Sequence, residues 1–285
     1  MMKKIICIGE CGLDIIFRDG QPKSSNPGGR IVNAAAMLAR EGLPVIMASE
    51  ASQDHVGDQV VDFLKAAGVD VSSVDRFTEG RTPVMLYFSE TDGEVSVCRY
   101  EQYPEQCFDI VWPRIDEGDI VVYGGFYALD RRMRERMSQL LNHAVERKAV
   151  LVYLPGFLPQ MEPRITRVMP AILENLECAN VVIARNTDLK FIFGADNDGT
   201  AYHNHIDFYC RSLINVDIPN HRINYYSGKE VTSVDVPTDR LMDLSWRAGV
   251  VSGVVSALYA LDATPELLDT PDDAVRRRIL SGIKV

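Results

Sequence analysis

None of the six cysteines in this 285-residue chain belongs to a C-x-x-C pair, and most sit in apolar runs such as Lys3-Lys4-Ile5-Ile6-Cys7-Ile8. That excludes the common zinc and dithiol motifs and reads as reduced thiols packed in a core. His203 and His205 flank Asn204, but no cysteine or acid stands near them at metal spacing, so they read as a polar helix start and no metal is expected. Long hydrophobic runs are missing too. The longest largely apolar stretch, 248–261, falls short of the ~18 residues a membrane span requires. The apolar segment after Lys3-Lys4 stops at Gly9-Glu10, too short for a signal sequence with a cleavage site, so a cytoplasmic protein without a membrane partner is expected. Positive charge is in deficit: the formal net charge is −10, which makes the average surface repel nucleic acid and anionic lipid. A small anionic substrate would need a local positive site. There is no internal repeat and no low-complexity linker, and 46% hydrophobic with 25% charged residues is the balance of a globular protein with a full core.

Strand and helix signals alternate along most of the chain. Short β-rich runs at 5–9 and 13–17 are followed by a helix over 30–40 that closes at Gly42. A strand over 43–49, a helix over 54–67 stopped by Gly68 and a strand over 69–74 continue the cycle. Segments 84–89 and 94–100 flank Thr91-Asp92-Gly93 like the arms of an antiparallel hairpin. Strands over 119–123, 149–154 and 180–184 then alternate with helices over 130–147 and 162–176, and helical turns run to about Cys210. A second hairpin, 222–226 with 230–236, surrounds Ser227-Gly228-Lys229, and helices over 240–261 and 271–283 complete the chain. This order predicts an α/β layered fold.

One segment carries the chemistry, Pro27-Gly28-Gly29-Arg30-Ile31-Val32-Asn33-Ala34-Ala35. Paired glycines let a ligand approach bare backbone, the start of a helix offers free N–H groups, and Asn33 can both donate to and accept from a hydroxyl. A polyol is a natural guest.

Together with Gly9-Glu10, Asp14, Asp54-x-x-Gly57-Asp58, Leu64 and Ala67-Gly68-Val69-Asp70, this segment resembles the N-terminal part of the ribokinase-like (pfkB) carbohydrate kinases. The resemblance implies a single ribokinase-like α/β domain over residues 1–285, with a three-layer α/β/α core and a small β-sheet lid. Lid strands near 13–18 and 84–100 would be inserted in it. By the same resemblance Asp14, Gly28, Gly29 and Asn33 hold sugar hydroxyls, and a homodimer through the lid strands is implied.

The family reaction moves the γ-phosphoryl of ATP to a sugar hydroxyl, and here the sequence departs from the pattern. Where the family has Gly-Ala-Gly-Asp at a late helix, the register set by Gly253 and Ala257 gives Ser245, Trp246, Arg247 and Ala248. The position of the base is then Ala248, which cannot take a proton, and the substituted glycines would crowd the anion hole. Asp243 is the weak candidate for a displaced base. Asn186-Thr187-Asp188-Leu189 stands where the family has the Mg²⁺-associated Asn-x-x-Glu, leaving Asn186 and Asp188 as nucleotide-side remnants. Tyr153-Leu154-Pro155-Gly156-Phe157-Leu158 replaces an Asp-x-Asn-x-Arg segment, and Asn215–His221 replaces a Thr-x-Gly-x-x-Gly turn.

Motifs assigned to the sugar remain and motifs assigned to ATP do not. Two readings stay open: a carbohydrate kinase-like protein that binds a sugar or polyol with weak or lost phosphoryl transfer, and an active kinase using ATP and Mg²⁺ through a rebuilt site.

Overall fold

The computed structural model describes residues 3–89, 95–157, 159–160, 162–237 and 245–283. In chain order its strands are β1 (Ile5–Ile8), β2 (Gly12–Arg18), β3 (Gln21–Gly28), β4 (Val45–Ser52), β5 (Asp70–Phe77), β6 (Arg81–Ser89), β7 (Val95–Gln102), β8 (Ile120–Gly124), β9 (Val150–Leu154), β10 (Val181–Arg185), β11 (Ser212–Asp217), β12 (Arg222–Ser227) and β13 (Glu230–Asp235). The helices are α1 (Arg30–Arg40), α2 (His55–Ala66), α3 (Arg134–Glu146), α4 (Ile165–Cys178), α5 (Asn186–Phe193), α6 (Asp198–Ala201), α7 (Ser245–Ala260), α8 (Pro265–Asp269) and α9 (Asp273–Ser281).

Strands such as β1 and β8 are apolar without alternation because both of their faces are covered. Ile5, Cys7, Ile120 and Val122 point into one apolar layer with residues of α1, α2, α7 and α9; Ile6, Ile8, Val121 and Tyr123 point into the other, with α3 and α4. Among the described residues the strands make two sheets, one of nine in the order β13-β12-β11-β10-β9-β8-β1-β4-β5 and one of four in the order β3-β2-β6-β7. From β11 to β5 the large sheet is parallel, and β12 and β13 finish it as an antiparallel edge.

The chain leaves β1 in one direction, through β4 and β5, and returns on its other side through β8 to β11. In open parallel sheets a ligand crevice forms outside the carboxyl ends of the strands at such a reversal. Here those ends carry Gly9-Glu10 and Gly124-Gly125, and the small sheet grows directly out of β1 above them.

Register fixes which lid residues face that edge. Asp14 pairs with Asn26 and Met85, and Met85 with Arg99, so these side chains form one row across the small sheet. The next row on the same face holds Ile16, Ser24, Tyr87 and Val97.

Several elements differ from the sequence-based expectation. Strand β3 was not anticipated, because Gln21-Pro22-Lys23-Ser24-Ser25-Asn26 is an exposed edge strand with no apolar alternation. Strand β11 was missed as well, its Ser212, Asn215 and Asp217 being buried polar residues in a parallel strand. Helix α3 begins at Arg134, after a separate 3-10 turn at Tyr127–Leu129, instead of at residue 130. Cys98 is exposed, since β7 alternates and Arg99 takes the inward face. The Thr91-Asp92-Gly93 turn and the 240–244 start expected for the last long helix lie outside the described residues. Among the described residues no helix is long and apolar enough to cross a membrane.

Candidate functional site

Strand β3 enters α1 through Gly28 and Gly29, and both positions demand glycine. A Cβ on Gly28 would stand 2.3 Å from the carboxyl carbon of Asp14, so the absent side chain lets Asp14 lie over the turn. Gly29 has φ +111, and its Cβ would meet the Glu10 carbonyl at 2.5 Å. One turn on, the Asn33 side-chain amide donates to the Gly29 carbonyl at 3.2 Å, which holds that side chain against the turn. Asp14, Gly28, Gly29 and Asn33 are thus brought together at the carboxyl edge of the large sheet, beneath the lid.

Around them the structure adds charged groups that the sequence reading did not single out. Arg30, the first residue of α1, and Arg185, the last of β10, both reach Asp188, whose side chain is only 1% exposed. Arg185 grips it through Nε at 2.9 Å and a terminal nitrogen at 2.5 Å, and its backbone N–H donates to the same carboxylate at 3.1 Å. Arg30 stands at 3.6 Å. Burial pushes the Asp188 carboxyl up, but Arg185 and then Arg30 outweigh it and hold the group well below the usual carboxylate range. Burial and the neighbouring Arg185 lower Arg30 from the ordinary guanidinium value. Arg99 of β7 pairs with Glu10 at 3.0 Å and with Glu101, and lies 5.0 Å over the ring of Phe126.

The signal for Arg30 was present in the sequence, between the glycine pair and Asn33. That for Arg185 was its spacing of three from Asp188, the spacing of a capping box.

Asn186 and Asp188, which the resemblance assigns to the nucleotide, are employed differently than that motif implies. Asn186 donates to Asp217 at 2.8 Å and accepts from the Ile218 N–H at 3.3 Å, so both ends of its amide tie α5 to the end of β11. Asp217 is also bound by Asn220, at 2.8 Å through its side chain. Asp188 is the clamped acid described above.

Asp243 lies outside the described residues. Ala248 is a buried residue of α7, 4% exposed. Helix α7 runs beside α1 with a constant offset: Ser252 lies 4.0 Å from the Met37 sulfur and Ser256 bonds Glu41 at 3.2 Å, each 215 positions apart. Ala248, one turn before Ser252, therefore lies on the face of α7 that packs against α1.

Other motifs have structural uses. Asp54 caps α2 through the Gly57 N–H at 2.7 Å and holds the start of β6 through Thr82 at 2.9 Å. His205 stacks flat on Phe193 at 4.8 Å, and His203 meets Tyr202 edge-on within a π-helical turn, where a polar helix start was expected. Gly253, four residues after Gly249 in α7, packs against the backbone of Gly282, where its Cβ would come within 2.5 Å of the carbonyl oxygen.

Comparison with known proteins agrees with this architecture. A family model described as pfkB family carbohydrate kinase matches residues 2–209. A ribokinase of Bacillus subtilis is 28% identical over 110 residues, which span 34% of this chain and only 38% of that ribokinase. Among solved structures, the fructokinase of Halothermothrix orenii superposes with a TM-score of 0.79 at 17% identity, covering 99% of this chain and 98% of that one. The aminoimidazole riboside kinase of Salmonella enterica, in complex with aminoimidazole riboside and an ATP analogue, superposes with a TM-score of 0.80 at 15% identity, covering 99% and 91%. At such identities the superpositions establish the fold.

Proposed function

Since the chain belongs to the pfkB family of carbohydrate kinases and has the ribokinase fold, we propose that it is a single-domain member that binds a sugar or polyol beneath its lid, with phosphoryl transfer from ATP weak or lost. Asp14 and Asn33 would take the hydroxyls, and the bare backbone of Gly28 and Gly29 would let the ring approach.

The observation that carries the second half is Ala248, a buried alanine on the α1-facing side of α7 at the position where the resemblance puts the base. Transfer to a hydroxyl needs a carboxylate there to accept its proton, and a methyl group cannot. Loss of a general base costs ~10² to 10⁴-fold and of an anion-hole donor a further ~10² to 10³-fold.

Nor do the residues at this edge fit Mg²⁺. The Asn186 amide is engaged at both ends, the Asp217 carboxylate accepts from two asparagines, and Asp188 is neutralised by two guanidiniums. A hard cation binds through carboxylate oxygens, and here two guanidiniums compete with it for Asp188 while three N–H groups already converge on Asp217.

The test is a calorimetric titration of the protein with a panel of pentoses and hexoses, repeated on Asp14→Ala and Asn33→Ala. The expected result is binding of at least one sugar that either variant weakens by tenfold or more with little change in melting temperature. Unaltered binding in both variants would remove these residues from the site.

A further inference from the structure

A chain of net charge −10 attracts an anion only through a local arrangement, and one exists on the sugar-side turn. Arg30 and Arg185 share a single carboxylate. Asp188 is engaged on both oxygens by Arg185, whereas Arg30 stands 3.6 Å away, beyond hydrogen-bonding distance. One positive charge of this trio is left over. Glu10, the other carboxylate that acts on Arg30, is paired with Arg99.

Three further features converge on the same place. Helix α1 begins beside Arg30 with Gly29 as its N-cap, without a side-chain cap and without an acid in its first turn. The lid's Tyr87 acts electrostatically on both guanidiniums, so the phenol lies near them. Gly156 presents bare backbone: a Cβ there would stand 3.3 Å from the Arg30 terminal nitrogen and 3.0 Å from the Gly125 Cα.

We propose that the ligand of this crevice is a sugar carrying an oxyanion, a phosphate monoester or a carboxylate, seated on Arg30 and Arg185. The inference rests on the sugar-binding reading above and names the class of sugar. Planar guanidinium forks match such groups, and an uncapped helix start adds backbone N–H donors. The anion belongs to the sugar and not to a nucleotide because Arg30 lies between Gly29 and Asn33. Past Arg185, the Asn186 amide donates to the Asp217 carboxylate, which also accepts from Asn220, so the next group along this edge is an acid that would repel a second anion.

The experiment is calorimetry on matched pairs: ribose with ribose 5-phosphate, fructose with fructose 6-phosphate, and glucose with gluconate, alongside inorganic phosphate. The expected result is that in at least one pair the anionic member binds tenfold or more tightly than its parent. The phosphate and gluconate arms separate the two sources. In Arg30→Gln that ratio falls toward one, Arg30→Lys keeps part of it, and Asp14→Asn weakens both members of the pair. Circular dichroism and thermal unfolding establish that each variant is folded.

Parent sugars that bind as tightly as their anionic partners in every pair would overturn this inference and leave the sugar-binding reading standing. A preference that survives both Arg30→Gln and Arg185→Gln, or inorganic phosphate binding as tightly as the esters, would also overturn it. Binding of neither member of any pair would overturn both.

Discussion

The carboxylate of Asp14 occupies the space that a side chain on Gly28 would fill, with 2.3 Å between the Asp14 carboxyl carbon and the position of a Gly28 Cβ. Two residues fourteen positions apart are therefore one device, an acid held over bare backbone by the pairing of β2 with β3.

Gly28→Ala must push Asp14 aside, since the clash is with the short side chain itself. Sugar affinity is expected to fall ~10 to 100-fold, the loss of one or two hydrogen bonds to a charged group. Titration calorimetry on the variant checks it, and wild-type affinity would show that Asp14 does not touch the ligand.

Asp188→Asn leaves Arg185 and Arg30 without their acid in a buried place. Breaking a buried pair in this way costs about 3–5 kcal/mol, which urea unfolding at pH 7 would read directly. Because the carboxyl is held below its unfolded value, its contribution is present above the ordinary aspartate range and is lost as pH falls through the folded pKa. The variant should accordingly be less sensitive to acid than the wild type.

Glu50 works in the opposite direction. It is fully buried on β4, one oxygen accepts from the Phe108 N–H at 2.7 Å, and burial pushes its carboxyl up to about 7. Asp75 adds to the rise, while the Phe108 N–H, Tyr127 and Arg132 oppose it. The folded chain then binds more protons than the unfolded one between the ordinary value of 4.5 and about 7, so stability falls as pH rises through that window and levels off above it. The full effect is on the order of 3 kcal/mol. Glu50→Gln should flatten this slope in a series of denaturant melts, and an unchanged slope would contradict the assignment.

Gly253→Ala places a methyl within 2.5 Å of the Gly282 carbonyl oxygen and the Ile283 Cα, both backbone atoms that cannot rotate away. A loss of about 1–3 kcal/mol is expected. A thermal melt of the variant checks it.

Much of this was legible in the sequence because the signals were local. The Gly-Gly pair before an Ala-rich helix identified the α1 turn, and unbroken apolar runs marked β1, β8 and β9. Strands β3 and β11 were not legible: one is a polar edge whose partner is fixed by pairing, the other a buried strand whose Asp217 and Asn215 bond the distant Asn186 and Asp198. The arginine pair escaped for the same reason. Arg30 and Arg185 are 155 positions apart in the chain, and only the order of the parallel strands brings them to one acid. Sequence likewise assigned Asn186 to a metal motif, whereas its amide is committed to Asp217 and Ile218.

The most direct test of the proposed loss of phosphoryl transfer is a calorimetric titration with Mg²⁺-ATP, with and without the sugar that binds best. Sugar heat without nucleotide heat up to ~1 mM, which corresponds to about −4 kcal/mol, is the expected result. A nucleotide dissociation constant below ~1 mM, accompanied by turnover to a phosphorylated sugar, would contradict it and identify a working kinase with a base other than the residue at position 248.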